Sequence, residues 1–257
     1  MKCALLLKRV LLFFVLLNAS LGAAGQDKGK ILIGAASDLK FALDSVISRY
    51  SVTHKNDKVD VTYSSSGKLF EQISHGAPYD LFFSADTEYP DKLKAKGLVI
   101  GELYVYGIGR IVLWSNKFDP VKDKMRSLLY PTIEKISIAN PAHAPYGKRA
   151  VEALKYYNLY PKVLPRLVYG ENISQAAQFI TSGAADAGII ALSLATSPAM
   201  QNEKGSYFLI PAEAHSPLEQ AFGLLTHAKG NAAATSFRDF MLSDEAKRIL
   251  RHFGFVE

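Results

Sequence analysis

Cysteine is almost absent from this 257-residue chain. Cys3 is the only one, so nothing after it can form a disulfide or a thiolate metal site. Long apolar runs are missing too: the most pronounced, Val10-Leu-Leu-Phe-Phe-Val-Leu-Leu17, falls far short of the roughly 20 residues that span a bilayer. Lys and Arg are scattered without a long basic run, which leaves no electrostatic footprint for nucleic acid or a membrane surface. No Pro/Gly/Ser-rich linker, internal repeat, coiled coil or low-complexity tract divides the chain. The common catalytic signatures are also missing: there is no Gly-x-Ser-x-Gly elbow, no His-Glu-x-x-His and no Walker loop.

The N-terminus does carry a pattern. Lys2, Lys8 and Arg9 precede the apolar run, and small residues follow it through Gly22-Ala-Ala-Gly25, the order of a cleaved secretory signal. Residues 1–25 are therefore read as a signal peptide. Cys3 lies ahead of the apolar run, where a lipid-accepting cysteine would follow it. The mature chain is cysteine-free, and its fold must be held by burial alone in a compartment where disulfides are usual. Setting aside the three basic residues of the leader reduces the formal charge from +6 to +3, too mild to imply a nucleic-acid partner. About 230 mature residues allow one large or two modest domains.

Short apolar, often β-branched runs recur at Ile31–Ile33, Val59–Tyr63, Tyr79–Phe83, Ile111–Trp114, Ile136–Ile138, Arg166–Tyr169, Gly188–Ile190, Tyr207–Ile210 and Phe222–Leu225, and predict strands. Helix-period stretches lie between them. Leu39, Ala42, Leu43, Val46, Ile47 and Tyr50 share one face, and similar stripes surround Leu69, Leu154 and Ala176. Two more helices are predicted at the tail, around Phe237 and Leu250. Strands alternating with helices indicate an α/β architecture.

Four predicted strand ends pass through a short polar or glycine-containing turn directly into a helix: Ala35-Ala-Ser37-Asp38, Ser64-Ser-Ser66-Gly67, Ala144-Pro-Tyr146-Gly147 and Glu171-Asn-Ile173-Ser174. The first turn of a helix has N–H groups without intrahelical partners and the positive end of the macrodipole, so it holds anions without a formal cation. Ligands of open α/β sheets gather at such carboxyl ends of strands. Each polar residue also has a plainer role, because Ser37, Asp38, Ser66 and Ser174 are all good helix N-caps. Convergence of the four junctions is what separates the two readings. No Arg falls in the four segments, Arg149 being the nearest, which disfavours an organic acid held by an arginine fork.

The runs Ile33-Gly-Ala-Ala-Ser-Asp-Leu39, Tyr63-Ser-Ser-Ser-Gly67 and Gly76-Ala-Pro-Tyr-Asp-Leu-Phe-Phe-Ser-Ala-Asp86, followed by Ile138-Ala-Asn-Pro-Ala-His-Ala-Pro-Tyr-Gly147 and Gly183-Ala-Ala-Asp-Ala-Gly-Ile-Ile-Ala191, resemble in order the periplasmic molybdate-binding proteins of ABC transporters. The resemblance implies a two-lobed α/β periplasmic binding protein fold of type II, with two mixed-sheet lobes joined by two crossover strands near Gly107–Arg110 and Gln220–Gly223. Lobe 1 would comprise 26–108 plus 223–257, and lobe 2 would comprise 109–222. It further implies a monomer in the periplasm with no enzymatic activity and no cofactor. The ligand would be molybdate or tungstate, its metal held through oxo groups and not by the protein directly. The partners would be a membrane permease and its cytoplasmic ATPase.

Carried onto matching positions, the family's donors become Ser37 or Asp38 and Ser66 in one lobe, facing Tyr146 and the Ile173 backbone N–H in the other. The chain departs from the pattern twice. Some members have serine immediately before the leucine where this chain has Asp38, which leaves open whether Ser37 takes over as hydroxyl donor. Some have a tyrosine at the strand end where this chain has Ala191, which makes Tyr146 the expected phenol. A carboxylate facing a dianion is repulsive, whereas one turned outward as an N-cap stabilises its helix, so Asp38 is expected to point outward. An inward Asp38 would instead offer an acceptor to a protonated phosphate. Sulfate and phosphate are thus alternative ligands, and an exported hydrolase is the enzyme alternative. His143 is read as a loop histidine, Asp80, Asp86 and Asp186 as turn and cap residues, and Trp114 as core.

Overall fold

The computed structural model describes residues 29–256, so the signal-peptide reading of 1–25 lies outside the described residues. Ten strands follow in chain order: β1 (Lys30–Ala36), β2 (Lys58–Ser64), β3 (Leu81–Ser84), β4 (Val99–Gly109), β5 (Ile111–Ser115), β6 (Ile136–Ala139), β7 (Leu167–Gly170), β8 (Ala187–Ala191), β9 (Ser206–Leu209) and β10 (Leu218–Leu225). They form two five-stranded mixed sheets, ordered β2-β1-β3-β10-β4 and β7-β6-β8-β5-β9. In each sheet three neighbouring strands run parallel, the next, β10 or β5, is antiparallel to them, and the edge strand beyond it, β4 or β9, runs in their direction again. The two sheets therefore repeat one plan, and their cores are separate clusters of buried residues.

The sequence explains most of this. Strands buried on both faces read as continuous apolar runs, and β3, β5, β6 and β8 are buried along their whole length. Each of the nine expected runs overlaps a strand. The tenth, β4, was not expected: it is the edge strand of its sheet, is largely exposed over its first seven residues, and turns at Gly101 with φ of 69°. An exposed, kinked edge has no apolar run to announce it.

Seven helices of eight residues or more cover the sheets: α1 (Lys40–Thr53), α2 (Ser66–Ser74), α3 (Glu88–Ala95), α4 (Pro145–Tyr156), α5 (Ile173–Thr181), α6 (Ala232–Met241) and α7 (Asp244–His252). The α1 stripe Ala42, Leu43, Val46 and Tyr50 is fully buried. Burying a leucine or valine side chain stabilises the fold by about 1.5 to 3 kcal/mol, which outweighs the absence of any side-chain cap at the start of α1.

The chain leaves the first sheet at Gly109 and enters the second at Ile111, with only Arg110 between. It returns between Leu209 and Leu218, and Leu218 pairs with Gly109 so that β4 and β10 lie side by side at the junction. A side chain at Gly109 would collide with the Tyr146 hydroxyl and the Gln220 amide, which is why glycine stands where the chain crosses.

Candidate functional site

In both sheets the strand order reverses around the first parallel strand, β1 in one and β6 in the other. The carboxyl ends of strands at such a switch point open a crevice, and here the two crevices face each other. The chain leaving β1 makes a 3₁₀ turn, Ser37–Leu39, while β2 leads into α2 and β3 into Ala85. From the other side β6 leads into α4 and β7 into α5. Together they enclose a small cavity lined by Ala36, Ser37, Asp38, Ser64, Ser65, Ser66, Ala85, Ala144, Pro145, Tyr146 and Ile173. All five site residues expected from sequence meet there, and no Lys or Arg is among the lining residues.

Ser37, Ser66 and Ser174 do not act as caps. Ser65 caps α2 by accepting from the Lys68 N–H at 3.4 Å, and Asn172 caps α5 by accepting from Gln175 N–H at 3.0 Å. Ser66 is the first residue of α2, and its hydroxyl oxygen accepts from the Ala85 N–H at 2.9 Å, leaving its proton to be donated. Ser37 Oγ donates to Asn172 Oδ1 at 3.1 Å and accepts from Ser174 N–H at 3.3 Å, so its hydroxyl already bridges the two walls. Ile173 is the first residue of α5, where a backbone N–H has no intrahelical partner.

Tyr146 is positioned by residues that sequence reasoning did not assign to the site. Its hydroxyl accepts from the Gln220 amide at 2.9 Å, and the Gln220 carbonyl accepts from Tyr106 at 2.5 Å. Tyr106 and Gln220 come from the adjacent strands β4 and β10. With its lone pair engaged, the Tyr146 hydroxyl has its proton free for the cavity. Burial first, then the Asp38 carboxyl, holds the Tyr146 phenol well above its ordinary range, so it is a neutral donor. Long sequence separation hid this chain, since 74 residues part Gln220 from Tyr146 and 114 part it from Tyr106.

Asp38 corrects the expectation drawn from sequence. It does not turn outward as a cap: it is 1 % exposed, and the 3₁₀ turn has no side-chain cap at all. Both carboxyl oxygens are buried without a partner in hydrogen-bond geometry. The turn is clasped from the second sheet, with Ser174 donating to the Ser37 carbonyl and Ser193 to the Asp38 carbonyl, each at 2.8 Å, and this fixes the side chain inward. Burial pushes the Asp38 carboxyl up to about 6, although Gln220, Tyr146 and the N–H groups of Asp38 and Leu39 lie near enough to favour the charged form partly.

The mouth of the cavity is closed by contacts between the two walls. The Gly67 N–H donates to the His143 carbonyl at 2.9 Å, and Ser65 Oγ lies 2.8 Å from His143 Nδ1. Lys68 pairs with Glu171, and Lys148 with Glu88 at 3.2 Å. His143 is thus in a loop, as expected, but its backbone and ring both reach across. Burial and the Lys68 charge lower its imidazole, keeping it neutral. Asp86 accepts from the Tyr89 N–H at 3.3 Å at the start of α3, as a cap residue does, whereas the Asp186 carboxylate, expected to serve its own turn, ties down a distant loop by accepting from the N–H groups of Glu134 and Lys135, both at 2.8 Å. Among the described residues no group of three or more His, Cys, Asp or Glu could hold a metal ion.

Ser66→Ala tests the donor assignment. The hydroxyl's proton would be lost to a ligand, and a hydrogen bond to a charged partner is worth about 1.5 to 3 kcal/mol. Calorimetry is expected to show affinity weakened by about one to two powers of ten. The lost acceptor for Ala85 N–H is common to free and bound protein, so unchanged affinity would mean that the serine serves structure alone.

Residues 31–256 match the family model of bacterial extracellular solute-binding proteins. The molybdate-binding protein ModA of Rhodobacter capsulatus is 35% identical over 200 residues, 77% of each chain. The molybdate-binding protein ModA of Azotobacter vinelandii is 31% identical over 94% of this chain and 95% of its own. A solved structure of the Azotobacter vinelandii periplasmic molybdate-binding protein superposes with a TM-score of 0.82 at 30% identity, over 88% of this chain and 99% of that one.

Proposed function

The chain belongs to the bacterial extracellular solute-binding proteins, and on that premise we propose that it captures molybdate or tungstate outside the cell membrane and delivers it to an ABC importer. The anion is cargo and not a cofactor, and binding proceeds without turnover. The protein works as a monomer, since both walls of the cleft come from one chain. Its partners are a membrane permease and the ATPase that drives it, consistent with the relatives' roles.

One observation carries this reading: donors from two sheets converge on a small cavity that contains hydroxyls and helix-start N–H groups but no formal cation. Such a cavity suits an anion whose every oxygen is a hydrogen-bond acceptor. Ser66, Tyr146 and the Ile173 N–H are its donors, and Ser37 becomes the fourth when the anion replaces Asn172 Oδ1 as the acceptor of its proton. Saturating molybdate is expected to raise the melting temperature, since a ligand at about a thousand times its Kd stabilises the protein by roughly 4 kcal/mol. No shift with any tetrahedral oxyanion would reject the proposal.

The inward Asp38 favours a second reading, a dihydrogen phosphate monoanion one of whose protons is accepted by the carboxylate. The charges discriminate. An ionised Asp38 about 4 Å from a dianion at an effective dielectric of about 20 would be repelled by about 8 kcal/mol. A dianion therefore requires a neutral carboxyl, whereas protonated phosphate requires an ionised one. Phosphate affinity that collapses in Asp38→Asn, with no molybdate binding, would establish the second reading.

A further inference from the structure

We propose that Asp38 enters the ligand complex as a neutral carboxylic acid, so that each oxyanion dianion is captured together with one proton from solvent. This rests on the molybdate reading above. The proton adds to one carboxyl oxygen, whose O–H then donates to an oxygen of the anion; no other bond forms or breaks.

The geometry leaves little else for this side chain to do. Its two oxygens are the only buried acceptors without a partner among the described residues that line the cavity. Nothing cationic compensates an ionised form: the groups facing Asp38 are the Tyr146 phenol from α4, the Tyr106 phenol from β4 and the Gln220 amide from β10, and no Lys, Arg or His contributes to its shift. The nearest cations at the mouth, Lys68 and Lys148, are committed to Glu171 and Glu88. The carboxyl is already held at about 6 by burial between the two walls, and a dianion in contact raises it further. When the lobes are apart and the cleft is hydrated, the same carboxyl returns toward its ordinary range.

The sign follows from linkage. The closed, liganded form binds more protons than the open one, so affinity is greatest at low pH, falls as pH rises from the carboxyl's value in the open protein to its higher value in the complex, and levels off above that. Tyr106 and Tyr146 are raised away from this range and His143 is lowered; burial also raises Asp86, but it does not line the cavity, so Asp38 is the titrating carboxyl that meets the ligand.

Isothermal calorimetry of the full mature protein with molybdate, at pH 6.5, 7.5 and 8.5 in buffers of different ionisation enthalpy, reads proton uptake directly. Uptake approaching one proton per molybdate is expected, with Kd rising by up to about tenfold per pH unit wherever the uptake is complete. Asp38→Asn keeps an N–H donor at the position and is expected to bind molybdate with no proton uptake and a flat pH profile. Molybdate binding by the native protein with no proton uptake and no pH dependence would overturn the proposal, whatever the variant does. Absence of molybdate binding at every pH would overturn the molybdate reading itself, and tight phosphate binding without uptake, lost in Asp38→Asn, would assign Asp38 as an ionised acceptor instead.

Discussion

Gly67→Ala is expected to reduce molybdate affinity by about two to four powers of ten while leaving the ligand-free protein folded. The second residue of α2 lies where the two walls touch: a Cβ there would sit 2.7 Å from the His143 carbonyl and 2.9 Å from its Cβ. It would also meet the Tyr89 hydroxyl at 2.7 Å, but that is the far end of a side chain and can swing aside. The His143 backbone cannot do so without reopening the cleft. Gly67 has no positive φ, so alanine fits its own backbone, and the clash exists only when the lobes are closed. A protein held ajar loses the Tyr146 and Ile173 donors while keeping Ser66. Two charge-assisted hydrogen bonds at about 1.5 to 3 kcal/mol each amount to that loss. Calorimetry gives the affinity, and thermal melting without ligand controls for the fold. Native affinity in Gly67→Ala would mean that ligand binding does not need these walls in contact.

The fold was legible in the sequence wherever burial on two faces made an apolar run, as in β3, β5 and β8, and wherever a helix carried a stripe, as in α1. It was illegible at β4, whose exposed edge has neither signal. The site was legible to the extent that its members sit at strand-to-helix junctions, because Ser37, Asp38, Ser66, Tyr146 and Ile173 each follow a strand end. What holds those residues in place was not. Gln220 and Tyr106 lie on the two antiparallel strands at the crossing, far in sequence from Tyr146, and nothing local marks either as part of a hydrogen-bond chain. The caps went to neighbours: Ser65 and Asn172 have extended backbone just before their helices, which frees Ser66 and Ser174 from capping.

Asp38 was misjudged for a physical reason. The argument for an outward carboxylate assumed that it stays ionised, and repulsion from a dianion then forbids an inward position. A carboxyl that burial has already raised to about 6 escapes that constraint by protonation. The exclusion of phosphate through an outward Asp38 falls with it, so discrimination between phosphate and molybdate rests on the protonation state of Asp38 and not on its absence from the cleft.

Sulfate presents a cleaner contrast, because it has the charge and shape of molybdate but shorter bonds to its oxygens. Charge cannot separate the two anions; distance can. Ser37 and Ser66 stand on one wall and Tyr146 and the Ile173 N–H on the other, and the walls are locked at a fixed separation by the Gly67–His143 and Ser174–Ser37 hydrogen bonds. A smaller anion cannot reach all four donors at once. Each donor left unmet in a dehydrated cleft costs about 1 to 3 kcal/mol, so two of them lower the affinity for sulfate by roughly two to four powers of ten. Competition calorimetry at one fixed pH, with molybdate displacing sulfate from the purified protein, measures this difference directly. Molybdate tighter than sulfate by at least about a hundredfold is the predicted result; sulfate within about tenfold of molybdate would contradict a cleft built to the larger anion.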